Sequence, residues 1–232
     1  MCSWLLSLLL FPSDVFPCVD HHRMERNTVK RAEFDRCPAA CYLQVVALEI
    51  KAPNPFPAPY PKDKSFKVFL GGSIEQDKAS QWQKRVVRMF KDYPGIIILN
   101  PRRDSWDPSW KNVASNKKFR QQVEWELDAL DASDAILMYF DPKTKSPISL
   151  LETGLYAKDR GYVPAQWEDY EDGMTVRRMD PYSVLHVVCP RGFWRKGNVD
   201  IVCERHKIQR FSSITKAVNN IKRLYELQKG TD

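Results

Sequence analysis

At 232 residues, 43% of them hydrophobic and 28% charged, the chain can build a core, and its apolar runs exclude global disorder. Its formal charge of +7 is spread along the chain; with no recognisable nucleic-acid motif, this suits a small phosphorylated ligand rather than a nucleic-acid polymer. No run approaches the roughly 20 apolar residues of a membrane-spanning helix, so no membrane partner is expected.

The opening MCSWLLSLLLFP has a short apolar run like the core of a signal peptide. No basic residue precedes it and no clean small-x-small site follows. An irregular extension or a misplaced start of a cytoplasmic protein is the expectation, with secretion left open. Four of the six cysteines (Cys2, Cys18, Cys37, Cys41) fall in this region. With His21 and His22 they match no standard zinc spacing, so no metal site is expected. Residues 51–64 hold five prolines and read as a surface arm, closing an irregular region over 1–64.

From Lys67 the pattern alternates strand and helix through the rest of the domain, 65–232. Apolar runs at Lys67–Leu70, Ile96–Leu99, Ala135–Phe140, Val184–Cys189 and Val199–Cys203 read as buried strands. Helical spacing appears over 79–92, 117–132, Leu150–Lys158 and Ser213–Gln228. The fold this implies is α/β: a doubly wound parallel sheet of about five strands with helices on both faces. Residues 160–182, with acidic Glu168–Asp172, interrupt the rhythm as a surface insertion or lid.

Ligands of such sheets bind beyond the carboxyl ends of the strands, where strand order reverses. Three segments fall at strand ends. Gly71, Gly72, Ser73 and Ile74 form a turn that can cradle a phosphate or sugar, or simply lead a strand into a helix. Asn100, Arg102 and Trp106 follow the second strand, and the tryptophans 82, 106, 110 and 125 can stack on a base or pack in the core. Asp141, Ser146, Ser149 and Glu152 follow the third. Placed in a first helical turn, Glu152 would be kept ionised by the helix dipole and fit to attack an anomeric carbon; it can equally serve as a cap. Glu126 borders an apolar helix face, where it reaches solvent or handles a proton in the crevice.

VFLGGSIE at 68–75, LNPRRDSW at 99–106, QVEWELDALDASDAILMYF at 122–140 and SPISLLETGLYA at 146–157 resemble the nucleoside 2-deoxyribosyltransferase-like family. The resemblance spans about residues 66–205. It implies a flavodoxin-like fold and a small-molecule nucleoside or nucleotide substrate. It also implies a retaining double displacement without cofactor and a homo-oligomer in which a neighbour closes the pocket. In it Glu152 is the nucleophile that forms a glycosyl ester, and Ser146 contacts a 5'-phosphate. Glu126 stands where relatives have an aspartate that manages the base's proton. Phe69 replaces a tyrosine that orients the nucleophile. That last departure keeps a second reading open, a nucleotide-binding module with impaired catalysis. A dinucleotide-binding oxidoreductase is disfavoured by the glycine spacing.

Overall fold

The computed structural model describes residues 46–58, 63–75, 79–160, 167–169, 175–177 and 184–229. The candidate signal run, the cysteines and histidines before residue 46, and most of the insertion at 160–182 lie outside them.

The centre of the domain is a six-stranded, all-parallel sheet. Its strands are β1 (Leu48–Lys51), β2 (Phe66–Gly72), β3 (Ile96–Asn100), β4 (Ala135–Tyr139), β7 (Leu185–Val188) and β8 (Gln209–Arg210). Their spatial order is β1-β3-β2-β4-β7-β8. Without β1 this is the flavodoxin-like order 2-1-3-4-5, with its reversal between β2 and β4. A separate antiparallel pair, β5 (Trp167–Asp169) and β6 (Thr175–Arg177), occupies the insertion.

Burial on both sides explains why β2 to β4 read as continuous apolar runs. Phe66, Val68 and Leu70 face one layer, in which α1 (Trp82–Phe90) and α5 (Ile214–Lys229) pack. Phe69, Ile136 and Met138 face the other, covered by α2 (Lys117–Ala132), α3 (Pro147–Arg160) and α4 (Lys196–Arg205). Trp82, Val86 and Phe90 form the buried stripe of α1, while Ala217, Val218, Ile221 and Tyr225 form that of α5. Asn116 caps α2 by accepting from the N–H groups of Lys118 and Phe119.

The structure corrects three sequence expectations. Val199–Cys203 is helical, within α4. Its β-branched residues mimic a strand, but Val199 and Cys203 are buried four residues apart while Ile201 is 68% exposed. An i,i+4 ion pair, Lys196 to Asp200 at 2.7 Å, suits the same helix. Strands β1 and β8 bring the sheet to six rather than five. β1 arises inside the region taken as irregular because its Leu48–Lys51 backbone pairs with β3. The arm after it is held down as well: Trp125 donates to the Asn54 carbonyl at 2.8 Å, and Phe56 packs edge-on against that indole. Finally, α3 begins at Pro147 rather than Leu150. Proline suits a first helical position because the N–H it lacks would have no helical partner there.

Candidate active site

The reversal point brings together the carboxyl ends of β2 and β4. Gly72 has φ +130°, and a Cβ there would lie 2.1 Å from the Tyr139 carbonyl oxygen. The close approach this glycine permits is therefore to the neighbouring strand, which takes the Ser73 N–H at 2.9 Å. Gly71 is similarly hemmed in by Met138 and Phe69.

Ser73, 1% exposed, turns its hydroxyl into a closed cluster. Its Oγ lies 2.7 Å from Thr144 Oγ1 and 2.6 Å from Ser146 Oγ, and those two are 2.7 Å apart. The Asp141 N–H donates to Ser73 at 2.8 Å, and Thr144 donates to the Asp141 carbonyl at 2.9 Å. The Asp141 carboxylate accepts from the N–H and hydroxyl of Ser80 and from the Lys143 N–H. This group ties the β2 turn to the loop before α3.

Two carboxyls stand apart from that network. Glu152 is 8% exposed and lies in the second turn of α3, so the first-turn dipole argument does not apply. Burial, reinforced by the charge of Glu126, pushes its pKa up to about 8. Glu126, on α2, is pushed up to about 7 by burial, with a hydrogen bond from Gln122 opposing the rise. Gln122 Nε2 makes that bond at 2.9 Å and also donates to the Pro101 carbonyl at 2.8 Å. Two carboxyls that interact in poorly hydrated surroundings do not both ionise readily and can share a proton.

At the end of β3, the Asn100 amide donates to Glu49 at 2.7 Å and its carbonyl accepts from the Arg102 N–H at 3.0 Å. Arg102 Nη1, Arg103 Nε and Arg103 Nη1 are buried without a protein hydrogen-bond partner. A cavity of about 340 Å³ opens one strand further out, lined by Glu49, Lys51, Asn54 and Asp104 among others. Neither carboxyl of the pair lines it.

The other sequence candidates divide. Trp82 and Trp125 are buried, with their indole N–H groups on the Ser73 and Asn54 carbonyls. Trp106 and Trp110 lie together in the loop after β3 with Arg103 over Trp110. Ile74 is half-buried. Ser149 lies inside α3, where its carbonyl accepts from Thr153.

Sequence reasoning missed Gln122, although its i,i+4 spacing to Glu126 was legible. It also missed Thr144 and the half-exposed Trp194, which donates to the Lys145 carbonyl at 2.9 Å. Among the described residues no group of histidine, cysteine or acidic side chains could hold a metal.

Residues 65–166 match the family described as nucleoside 2-deoxyribosyltransferase like. The matched segment runs from β2 through α3 and contains both carboxyls, supporting the resemblance seen in the four motifs. No curated protein matches the chain. No described helix is long and apolar enough to cross a membrane.

Proposed function

We propose that the protein hydrolyses or exchanges the N-glycosidic bond of a nucleoside or nucleoside 5'-monophosphate through a covalent glycosyl-Glu152 intermediate. The observation that carries this reading is the carboxyl pair formed between α2 and α3, both members raised toward neutral pH by burial. Glu152, raised to about 8, holds the shared proton more firmly than Glu126, raised to about 7, so the proton must pass to Glu126 before attack, and each carboxyl then has a task. Ionised Glu152 attacks C1', the C1'–N bond breaks, and protonated Glu126 gives its proton to the departing base. Glu126, now a carboxylate, then takes a proton from water or from an incoming base, which attacks C1' and releases Glu152. This is the two-step logic of retaining glycosidases.

The test is base release from a panel of nucleosides and 5'-monophosphates, read by mass spectrometry. Wild-type protein should release base, Glu152→Ala should lose at least ~10³-fold, and a glycosyl adduct should map to Glu152. Folded wild-type protein that binds a nucleotide yet releases nothing would favour the impaired binding module, the reading that Phe69 motivates.

The assembly we propose is a homo-oligomer built on α3. Ile148, Leu151 and Leu155 lie along one face of that helix and are 59%, 58% and 55% exposed. An aliphatic stripe beside the carboxyl pair supports a neighbouring copy closing the pocket. Light scattering should give a mass above one chain, and Leu151→Lys should lower it. A monomeric wild type would sink this.

A further inference from the structure

Resting on the reading above, we infer that Glu75 is a specificity residue. Its own carboxylate fills the anion-binding position ahead of α3 and turns the site against a 5'-phosphate.

Glu75 follows the β2 turn and crosses to the loop before α3. Its Oε1 accepts from the Lys145 N–H at 2.8 Å and from the Ser146 N–H at 2.6 Å. Ser146 has φ +46°, a left-handed conformation that non-glycine residues seldom adopt. Successive N–H groups in such a turn converge on one point and form a concavity for an anion. Here the anion is already part of the chain.

The Ser146 side chain is spoken for as well. Its hydroxyl lies within 2.6 Å of Ser73 Oγ and 2.7 Å of Thr144 Oγ1, inside the cluster. Both donors that Ser146 could offer a phosphate, N–H and hydroxyl, are therefore engaged. A phosphate arriving there would have to displace a carboxylate held by two N–H groups while facing its charge. Like charges brought together at a partly buried point oppose binding strongly. A sugar hydroxyl meets no such barrier, because Glu75 Oε2 can accept from it.

The placement fits one substrate. Helical side chains lean toward the helix N-terminus, so the Glu152 carboxyl lies over the turn ahead of its own Cα. Six residues at ~1.5 Å each separate Ser146 from Glu152 along α3, and the lean shortens that gap toward the span of a pentose. With C1' at Glu152, the 5' end of the sugar points toward Glu75.

The experiment compares full-length wild type with Glu75→Gln and Glu75→Ser, each checked for folding by circular dichroism. The first readout is the ratio of kcat/KM for a nucleoside over its own 5'-monophosphate. We expect wild type to favour the nucleoside by about tenfold or more, and Glu75→Ser to move the ratio toward the monophosphate by ~10- to 100-fold. Glu75→Gln keeps an acceptor for the two N–H groups but loses the charge, so it should fall between. If the serine variant fails to fold, the glutamine variant carries the comparison.

The second readout is the melting shift caused by inorganic phosphate, which needs no turnover. It should appear in Glu75→Ser and not in wild type. Equal kcat/KM values for the two substrates in wild type, or a ratio that neither variant moves, would overturn the assignment. So would monophosphate turnover by wild type that collapses in Arg102→Ala, since the phosphate would then sit on the guanidinium pair. Should no variant release base from any substrate, the proposed reaction fails and the phosphate shift alone decides. A shift confined to Glu75→Ser then still supports Glu75 as the occupant, and equal shifts or none refute it.

Discussion

The hydroxyl cluster and the carboxyl pair both meet α3, one through Ser146 just before it and one through Glu152 within it, and they treat burial in opposite ways. Ser73, Thr144 and Ser146 satisfy one another and the Asp141 backbone within 2.6 to 2.9 Å. Such a cluster loses little on leaving water, because every contact given up is replaced. Glu152 has no such compensation: only burial and the charge of Glu126 shape its pKa, and both raise it. A saturated polar group fixes geometry. An unsaturated one stores reactivity, because a bound substrate supplies what the fold withholds.

The largest expected effect separates the two acids of the pair. Glu126→Gln removes the proton donor and should lower kcat for an ordinary base by ~10²- to 10⁴-fold. It should spare a substrate whose leaving group needs no proton. The pH profile sharpens this. With one shared proton required, wild-type activity should fall below about pH 7, as both carboxyls protonate, and above about pH 8, as both ionise. In Glu126→Gln the alkaline limb should vanish, since no acid is left to lose. The acid limb should stay near its place, because there Glu152 ionises beside a neutral neighbour in both proteins. A profile unchanged in shape would mean that Glu126 takes no part in proton transfer, leaving Glu152 as a lone buried acid.

How far the sequence alone reaches follows the same division. Strands β2, β3, β4 and β7 are legible because burial on both faces demands unbroken apolar runs, and that signal is local. β1 is not, since LEIK becomes a strand only by pairing with Ile97–Asn100, almost fifty residues on. Val199–Cys203 misleads because β-branched side chains at alternate positions look like a pleat, and only packing shows that one of them faces water. In the site, the motifs themselves point to Glu126 and Glu152. Thr144 lies outside the motifs, and Glu75, though it ends VFLGGSIE, carries no local sign of its role. Each acts on a residue about seventy positions away, across β2 and the loop before α3, and no window along the chain joins them. Glu152 was found for a reason that needed correction: the helix starts earlier than its apolar pattern suggests, and burial rather than the dipole sets its chemistry.

The smallest effect is the most direct comparison, because the two regions should answer with opposite signs. Ser73→Ala leaves the Asp141 N–H without its acceptor in a buried position and should cost about 1–3 kcal/mol of stability with little pH dependence. Glu152→Gln should stabilise. The folded-state pKa of Glu152 lies above its ordinary value, so the folded form binds a proton that the unfolded chain has already released. Its contribution therefore falls as pH rises from ~4.5 and reaches its full penalty above about pH 8. Replacing it with a neutral amide removes that penalty, so the gain should be near zero at low pH and on the order of 2 kcal/mol in alkali. Chemical denaturation of both variants in acid and in alkali reads the two signs together. If Glu152→Gln destabilises in alkali as Ser73→Ala does, the carboxyl is held by contacts it needs, and the contrast between a satisfied cluster and an uncompensated buried carboxyl dissolves.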